Sequence, residues 1–412
     1  MSERKLSQGL DYYKPTMSQL EYEKYPTAEV TFTMKNRSDV PLSTYVSPTA
    51  LSERLDDLQR GWQPDEIAYL ASLSAQDGTP VFTPEYLDYI ADNPLPPLSI
   101  SHSETGDLDI HTTGAWPMVT FWETVVMSEL NEQFFAEKCR REGTSLSDLY
   151  REGNRRLTNK IERLKKRPDI KFSDFGTRRR FSYAWHKHVV ERLATECPEN
   201  FVGTSNVYLA HELGLKPIGT FAHELPMGYA ALAGAEGKNP LDGHHTMLED
   251  WYNKYGDSLS TALTDTFTTD FFFADFSPEQ AEKWKALRHD SGDPIEFGEK
   301  VIAYYQQYGI APREKTIVFS DGLDIDTIIR LRDHFKGRIN TVFGWGTTLT
   351  NDLGVKPNNF VMKATAVNGQ STVKLSDVAG KHTGDASVID QYQELVAAKT
   401  APKAMQPELV LA

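Results

Sequence analysis

From residue 170 onward one pattern repeats, and it leaves few folds open. Short β-type segments recur at Ile170–Phe175, Asn200–Val202, Pro217–Phe221, Leu263–Phe267, Ala286–Arg288, Thr316–Ser320 and Thr341–Phe343, separated by stretches of helical periodicity. That alternation predicts βα units sharing a parallel sheet. Each segment runs into a polar or glycine-rich cluster. Among these are Gly176-Thr177-Arg178-Arg179-Arg180, Gly203-Thr204-Ser205-Asn206, Gly219 to Glu224, Thr268-Thr269-Asp270, Arg288 to Asp293, Asp321-Gly322-Leu323-Asp324 and Gly344-Trp345-Gly346-Thr347-Thr348. Clusters gathered at strand C-termini are expected of a barrel whose working face lies at one end. An open doubly wound sheet fits the same spacing, because spacing cannot prove closure.

The first third reads differently. Val30–Met34 alternates as a strand does, Leu51–Gln59 reads as a helix, and Asp92–Pro97 as a loop. Leu108–Thr112 and Val119–Trp122 are expected to be strand pieces, while Glu123–Arg141 and Ser147–Arg167 are long amphipathic helices. Phe360–Val367 and Val373–Ser376 are sheet-like again and fall outside the βα rhythm. The fold expected is therefore α/β: an irregular α/β barrel over 126–351, plus an N-terminal α/β domain over 1–125 completed by the C-terminal segment 352–412. The tail 401–412 is expected to fray.

Over 412 residues, 44 Lys and Arg against 58 Asp and Glu leave a net charge of −14. That argues against a nucleic-acid partner, which calls for a broad positive field. It leaves room for a small anion, since a local arginine cluster can overcome a distant acidic surface. The basic run Arg155 to Arg167 reads as a solvated helix face, because Leu157, Ile161 and Leu164 supply ordinary amphipathicity. Cys139 and Cys197 read as reduced thiols. With no signal-like apolar run at the N-terminus and no bilayer-length apolar stretch, a soluble cytoplasmic protein without a membrane partner is expected.

The clusters carry chemistry. Two glycines in Gly344-Trp345-Gly346 let backbone approach an anion, and Thr347 and Thr348 can hydrogen-bond phosphate oxygens; a plain turn is the other reading. Arg288, Asp290 and Asp293, with Asp321 and Asp324 on the next strand end, suit a ribose or a hydrated Mg²⁺, or else cap helices. The triplet Arg178-Arg179-Arg180 either supplies a fork that matches a carboxylate or pairs at the surface, and Phe175 offers a ring face to an aromatic ligand. His223 is either structural or, in a phosphate-lined cleft, a phosphoryl acceptor. His186, His188, His244 and His245 lack a third ligand at metal spacing.

In combination these stretches resemble the nicotinate phosphoribosyltransferase family, over nearly the whole chain from Asp11-Tyr12-Tyr13-Lys14 to Lys374-Leu375-Ser376-Asp377. The carriers are Asp174 to Phe181, Phe201 to Asn206, Gly219 to Glu224, Leu287 to Pro294 and Phe343 to Thr350. The resemblance implies an ATP-coupled ligase that makes nicotinate mononucleotide and pyrophosphate from nicotinate and phosphoribosyl pyrophosphate, the first step of NAD salvage from nicotinate. It implies Mg²⁺, with ligands it does not identify, and ATP hydrolysis through a phosphohistidine at His223. By motif, Tyr13 resembles an aromatic that reaches a neighbouring subunit's pyridine ring, which would make a homodimer, with Phe175 on the opposite face and Arg178 beside the acyl group. Arg288, Asp290 and Gly292 resemble the group around the ribose, with Asp321 nearby, and Gly344, Gly346 and Thr347 the 5′-phosphate loop. Ser205 stands where the nicotinamide-specific relative carries an aspartate, which favours the acid.

Other readings are that nicotinamide-specific enzyme, a non-catalytic sensor of phosphoribosyl compounds, and a Mg²⁺-dependent barrel hydrolase or aldolase built on Asp290, Asp293 and Asp321. Two features set this chain apart from the family pattern: Pro15 after Lys14, and a glycine-rich stretch after His223, through Gly234, Gly237 and Asp242 to His245, expected to be a mobile loop.

Overall fold

The computed structural model describes residues 4–378 and 381–401. Three strands come early, β1 (Glu29–Asn36), β2 (Leu98–His102) and β3 (Leu108–Ala115). Six follow: β4 (Phe172–Asp174), β5 (Phe201–Thr204), β6 (Thr261–Leu263), β7 (Ala286–His289), β8 (Thr316–Phe319) and β9 (Asn340–Trp345). Two come late, β10 (Phe360–Val367) and β11 (Gln370–Ser371).

The middle strands form a six-stranded parallel sheet in the order β5-β4-β9-β8-β7-β6. Beyond β5, a single parallel bridge joins Thr204 to Pro217. The Pro217 segment was expected to be a full strand; proline has no N–H to continue a ladder, so it stays extended with one bridge. Residues 216–220 and 257–261 line one internal cavity with Ser173, Val318 and Val342, so the sheet curls into an irregular barrel. The seam lies between the Pro217 segment and β6. Phe319 sits beside Phe343 and Phe335 at ring distances of 5.9 and 5.6 Å, packing the outer side of the barrel under its helices.

The antiparallel sheet runs β11-β10-β1-β3-β2. Alternation in β1 buries Val30, Phe32 and Met34. Pairing of β1 with β10 sets Thr33 opposite Lys363 and Asn36 opposite Phe360, so the two ends of the chain build one sheet.

Several expectations need correction. Val119–Trp122 is helical, shared between helices Trp116–Val119 and Trp122–Glu142. Every side chain from Trp116 to Asn131 is buried, polar ones included, so the run has no exposed face whose period could mark it as a helix. Val373–Ser376 holds only an isolated bridge at Lys374. The glycine-rich stretch after His223 is no loose loop: it lies largely in helices Glu224–Ala235 and Asp242–Tyr255. A Cβ at Gly243 would come within 2.5 Å of the Tyr229 carbonyl oxygen, so that glycine is what lets the two helices touch. Pro15 falls in the first turn of helix Tyr13–Lys24, where proline is tolerated.

The basic helix is Leu146–Lys165, and its cations are matched: Arg155 and Arg156 by Glu152, Lys160 by Asp352, Arg163 by Asp326. Both cysteines are buried and free. Among the described residues no helix is long and apolar enough to cross a membrane. Apart from Ala401, the tail expected to fray lies outside the described residues.

Candidate active site

At the C-terminal ends of the barrel strands the loops and one face of the antiparallel sheet enclose a cleft of about 640 Å³. The barrel side presents Phe175, Arg178 and Arg179 after β4, Arg288 and Asp290 with β7, Ser320 and Asp321 after β8, and Gly346, Thr347 and Thr348 after β9. Phe32 and Arg37 near β1 and Lys363 on β10 supply the opposite wall. Asp293 and Asp324 stay out of it. Asp293 accepts hydrogen bonds from the amides of Ile295 and Glu296, and Asp324 from that of Thr327, so both cap helices.

His223 immediately precedes helix Glu224–Ala235, between barrel and sheet. Its Nε2 lies 3.0 Å from Oδ2 of Asp290, 2.9 Å from Nζ of Lys374 and 3.5 Å from Oδ1 of Asp265. Nδ1 is 3.1 Å from the Thr266 hydroxyl. Burial, with Lys374 alongside, lowers the imidazole below the ordinary histidine range, against the pull of Asp265 and Asp290. A neutral ring with a free lone pair is the form a nucleophile needs.

Arg288 ties the next part together. Its Nη2 is 2.7 Å from Asp290 Oδ1, and its Nε donates to Ser320 Oγ at 2.8 Å. Burial pushes the Asp290 carboxyl up, but Arg288, His223 and Lys374 outweigh it and hold it well below the usual carboxylate range. Asp290 is therefore a fixed anion between an arginine and an imidazole.

A smaller cavity of about 220 Å³ continues into the barrel and shares Phe175, Arg178 and Arg288 with the cleft. The Arg178 guanidinium is only loosely held, 3.5 Å from Asp11 Oδ2 and 3.5 Å from Glu123 Oε1, and it sits 5.8 Å from the centre of the Tyr13 ring. Such long contacts leave its fork free to meet another carboxylate. Arg288 stands 5.8 Å from the Phe175 ring. Asp174, fully buried, fixes this loop by accepting the Gly176 amide and facing His186 at 2.6 Å.

Most expected site residues converge here, while Gly344 and Gly292 take other places. Tyr13 is buried and lines the inner cavity beside Arg178 of the same chain. Ser205 lines the same inner cavity and meets Arg178 through Asp11, its hydroxyl donating to Asp11 Oδ1 at 2.6 Å while Asp11 Oδ2 faces Arg178. Gly344 is not a wall of the cleft: a Cβ there would meet the Phe175 ring at 2.4 Å, so its bareness makes room for that ring. Gly292 lies outside both cavities and serves instead as a turn, with φ of 84°, while Ser291 faces the cleft.

Sequence reading missed Asp265, Lys374, Arg37 and Lys363. Asp265 falls ahead of the polar cluster noted after its strand, and the other three belong to segments remote from the barrel rhythm. Lys160, read as part of a solvated face, is buried beneath the phosphate-type turn and donates to the Thr348 carbonyl at 2.5 Å. His223, Asp265 and Asp290 are the group among the described residues with ligand atoms close enough to share a metal, and the Lys374 ammonium lies against them, 3.1 Å from Asp265 Oδ2. Within it, Oδ1 of Asp265 is buried without a hydrogen-bond partner.

A parallel barrel whose mouth gathers arginines, lysines, hydroxyls and a Gly-Thr-Thr turn defines a protein that handles small, phosphate-bearing anions. Residues 170–400 match the model of the nicotinate phosphoribosyltransferase (NAPRTase) family, and residues 10–131 that of the NAPRTase N-terminal domain. The chain belongs to the nicotinate phosphoribosyltransferase family. It is similar to the crystal structure of nicotinate phosphoribosyltransferase from Porphyromonas gingivalis, with TM-score 0.83 and 32% identity over 95% of this chain and 99% of that one. The corresponding Vibrio cholerae structure matches with TM-score 0.77 and 30% identity, over 96% of this chain and 93% of that one.

Proposed function

We propose that this chain is an enzyme that joins nicotinate to phosphoribosyl pyrophosphate, releasing nicotinate mononucleotide and pyrophosphate, and couples that transfer to ATP hydrolysis through a phosphoryl group on His223. It would open NAD salvage from nicotinate. The observation that carries this is the position of His223: an imidazole beside Asp290 and Lys374, in the same cleft as Arg178 and the Gly346-Thr347 turn.

In the transfer, the pyridine nitrogen forms a bond to C1 of the ribose as the bond from C1 to pyrophosphate breaks. Positive charge develops on the sugar, and the protein contributes mainly by positioning. Phe175 and Tyr13 flank the ring, Arg178 meets its carboxylate, Arg288 and Lys374 meet phosphate oxygens, and Gly346 with Thr347 receives the 5′-phosphate. Asp290 and Asp321 face the ribose hydroxyls. In the coupled half-reaction the imidazole takes the terminal phosphoryl group of ATP as ADP leaves, and water later releases it as phosphate. Asp265 and Asp290 fit Mg²⁺, which when bound would neutralise phosphate charge.

One observation speaks for the amide as substrate: Asp11 is an acceptor at the pyridine end. Both of its oxygens, however, already face Ser205 and Arg178. Acid and amide are separated by supplying each with phosphoribosyl pyrophosphate, ATP and Mg²⁺. Nicotinate mononucleotide and pyrophosphate are expected, with turnover of nicotinamide lower by about 100-fold. Preferential use of the amide, or binding without product, would replace this function with one of the other readings.

A further inference from the structure

A buried chain of charges links the two ends of the site through a residue that touches neither cavity. Lys14 is fully buried in the first turn of helix Tyr13–Lys24. Its Nζ lies 2.5 Å from Glu224 Oε2, 2.6 Å from Glu123 Oε2 and 3.1 Å from the Thr120 hydroxyl. An ammonium has three protons, and here each has an acceptor. Glu123 turns its other oxygen to Nη1 of Arg178 at 3.5 Å. Glu224 follows His223 directly and accepts the Trp116 indole N–H at 2.8 Å on its other oxygen. The path therefore runs from Arg178 through Glu123, Lys14 and Glu224 to the residue beside His223.

The elements meeting here supply few other charges. Glu21, on the same helix, is fully buried with neither oxygen paired, and burial raises its carboxyl well above the usual range. Burial thus favours its uncharged form. The Lys14 ammonium has the opposite tendency: burial alone would strip its proton, but Glu123 and Glu224 hold it on. Replacing it with an apolar side chain would leave two buried carboxylates with no cation between them.

We propose that Lys14 is a positioning residue that couples the two ends of the site, fixing Glu123 against the acid-binding Arg178 and Glu224 beside His223. This rests on the function proposed above. One ammonium is shared between two carboxylates, so negative charge added beside Glu224 shifts its balance and changes its hold on Glu123. Phosphorylation of His223 would add such charge, about −1.5 to −2. Arg178 then responds to the state of His223 although no atom of the histidine contacts it.

The test measures the KM for nicotinate with and without ATP in wild type, Lys14→Met and Lys14→Arg, while mass spectrometry follows phosphorylation of His223. In wild type ATP is expected to lower that KM by about tenfold. Lys14→Met should still phosphorylate His223, yet its KM should respond by less than about twofold, with part of the response restored in Lys14→Arg. A merely structural role would lower the melting temperature and leave the ATP response intact. If Lys14→Met fails to fold, Glu123→Gln, which keeps the shape and removes the charge facing Arg178, carries the same expectation. A folded variant whose KM falls on ATP addition as much as that of wild type overturns the coupling. Wild type that makes the mononucleotide with no ATP effect on KM also overturns it, whereas wild type that makes none overturns the proposed function itself.

Discussion

Ser205 gives its hydroxyl proton to Oδ1 of Asp11 across 2.6 Å, while the other oxygen of Asp11 faces Arg178. The serine thus holds an acid in place at the pyridine end, and its small size keeps a second carboxylate out. Ser205→Asp would set two buried carboxylates against each other beside the incoming acid. Like charges ~4 Å apart repel by about 4 kcal/mol at an effective dielectric of 20, before solvation is counted. Steady-state assays should show kcat/KM for nicotinate falling by at least about 100-fold, with nicotinamide losing less. Equal losses for both substrates would mean that charge at this position does not set the preference.

Gly344 tests the packing beneath the pyridine site. A methyl group there would overlap the Phe175 ring, which must then move. Gly344→Ala should raise KM for nicotinate about tenfold and cost about 1–3 kcal/mol in denaturant unfolding. A variant that binds as wild type does would remove Phe175 from the site.

Lys363 makes the cleft sensitive to pH near neutrality. Burial, with Lys374 and Arg37 close by, lowers its ammonium to about 7. The charged form is the one that attracts phosphates. As pH rises through about 7 the free protein loses that charge, so KM for ATP or phosphoribosyl pyrophosphate should rise, approaching tenfold per pH unit where the lysine is mostly neutral. Folding has its own signature: the unfolded chain holds this proton up to the ordinary lysine range, so the contribution of Lys363 to stability improves as pH climbs above about 7. Lys363→Met should bind weakly at all pH values, with a flatter profile.

Lys160 supports the Gly346-Thr347-Thr348 turn from below, bonded to the Thr348 carbonyl and 2.7 Å from Asp352. Lys160→Met leaves that carbonyl and part of the Asp352 charge unmatched. A loss of about 3 kcal/mol of stability is expected, with KM for phosphoribosyl pyrophosphate raised more than KM for nicotinate. Equal shifts in the two would place the turn's contribution elsewhere.

The barrel was legible because each short strand is bounded by a polar cluster, and those clusters end at one face. Asp290 and Asp293 show the limit of that signal. They are three positions apart in one cluster, yet one is a wall of the cleft and the other caps a helix. Only the turn between them, made by Gly292, decides which way each points. Arg37, Lys363 and Lys374 could not be read as site residues, because β1 and β10 meet through a pairing that spans most of the chain. Nothing in the sequence marks Lys14 as buried, since a sequence does not announce that Glu123 and Glu224 converge on it.

In the proposed function one imidazole, that of His223, carries energy from ATP to the grip on nicotinate and the sugar phosphate. Mononucleotide formation should be measured with and without ATP for wild type and His223→Ala at subsaturating nicotinate. Wild type should be stimulated by ATP and consume it, while His223→Ala should form product at an ATP-independent rate and hydrolyse no ATP. A His223→Ala protein that keeps the full ATP-stimulated rate would contradict the account.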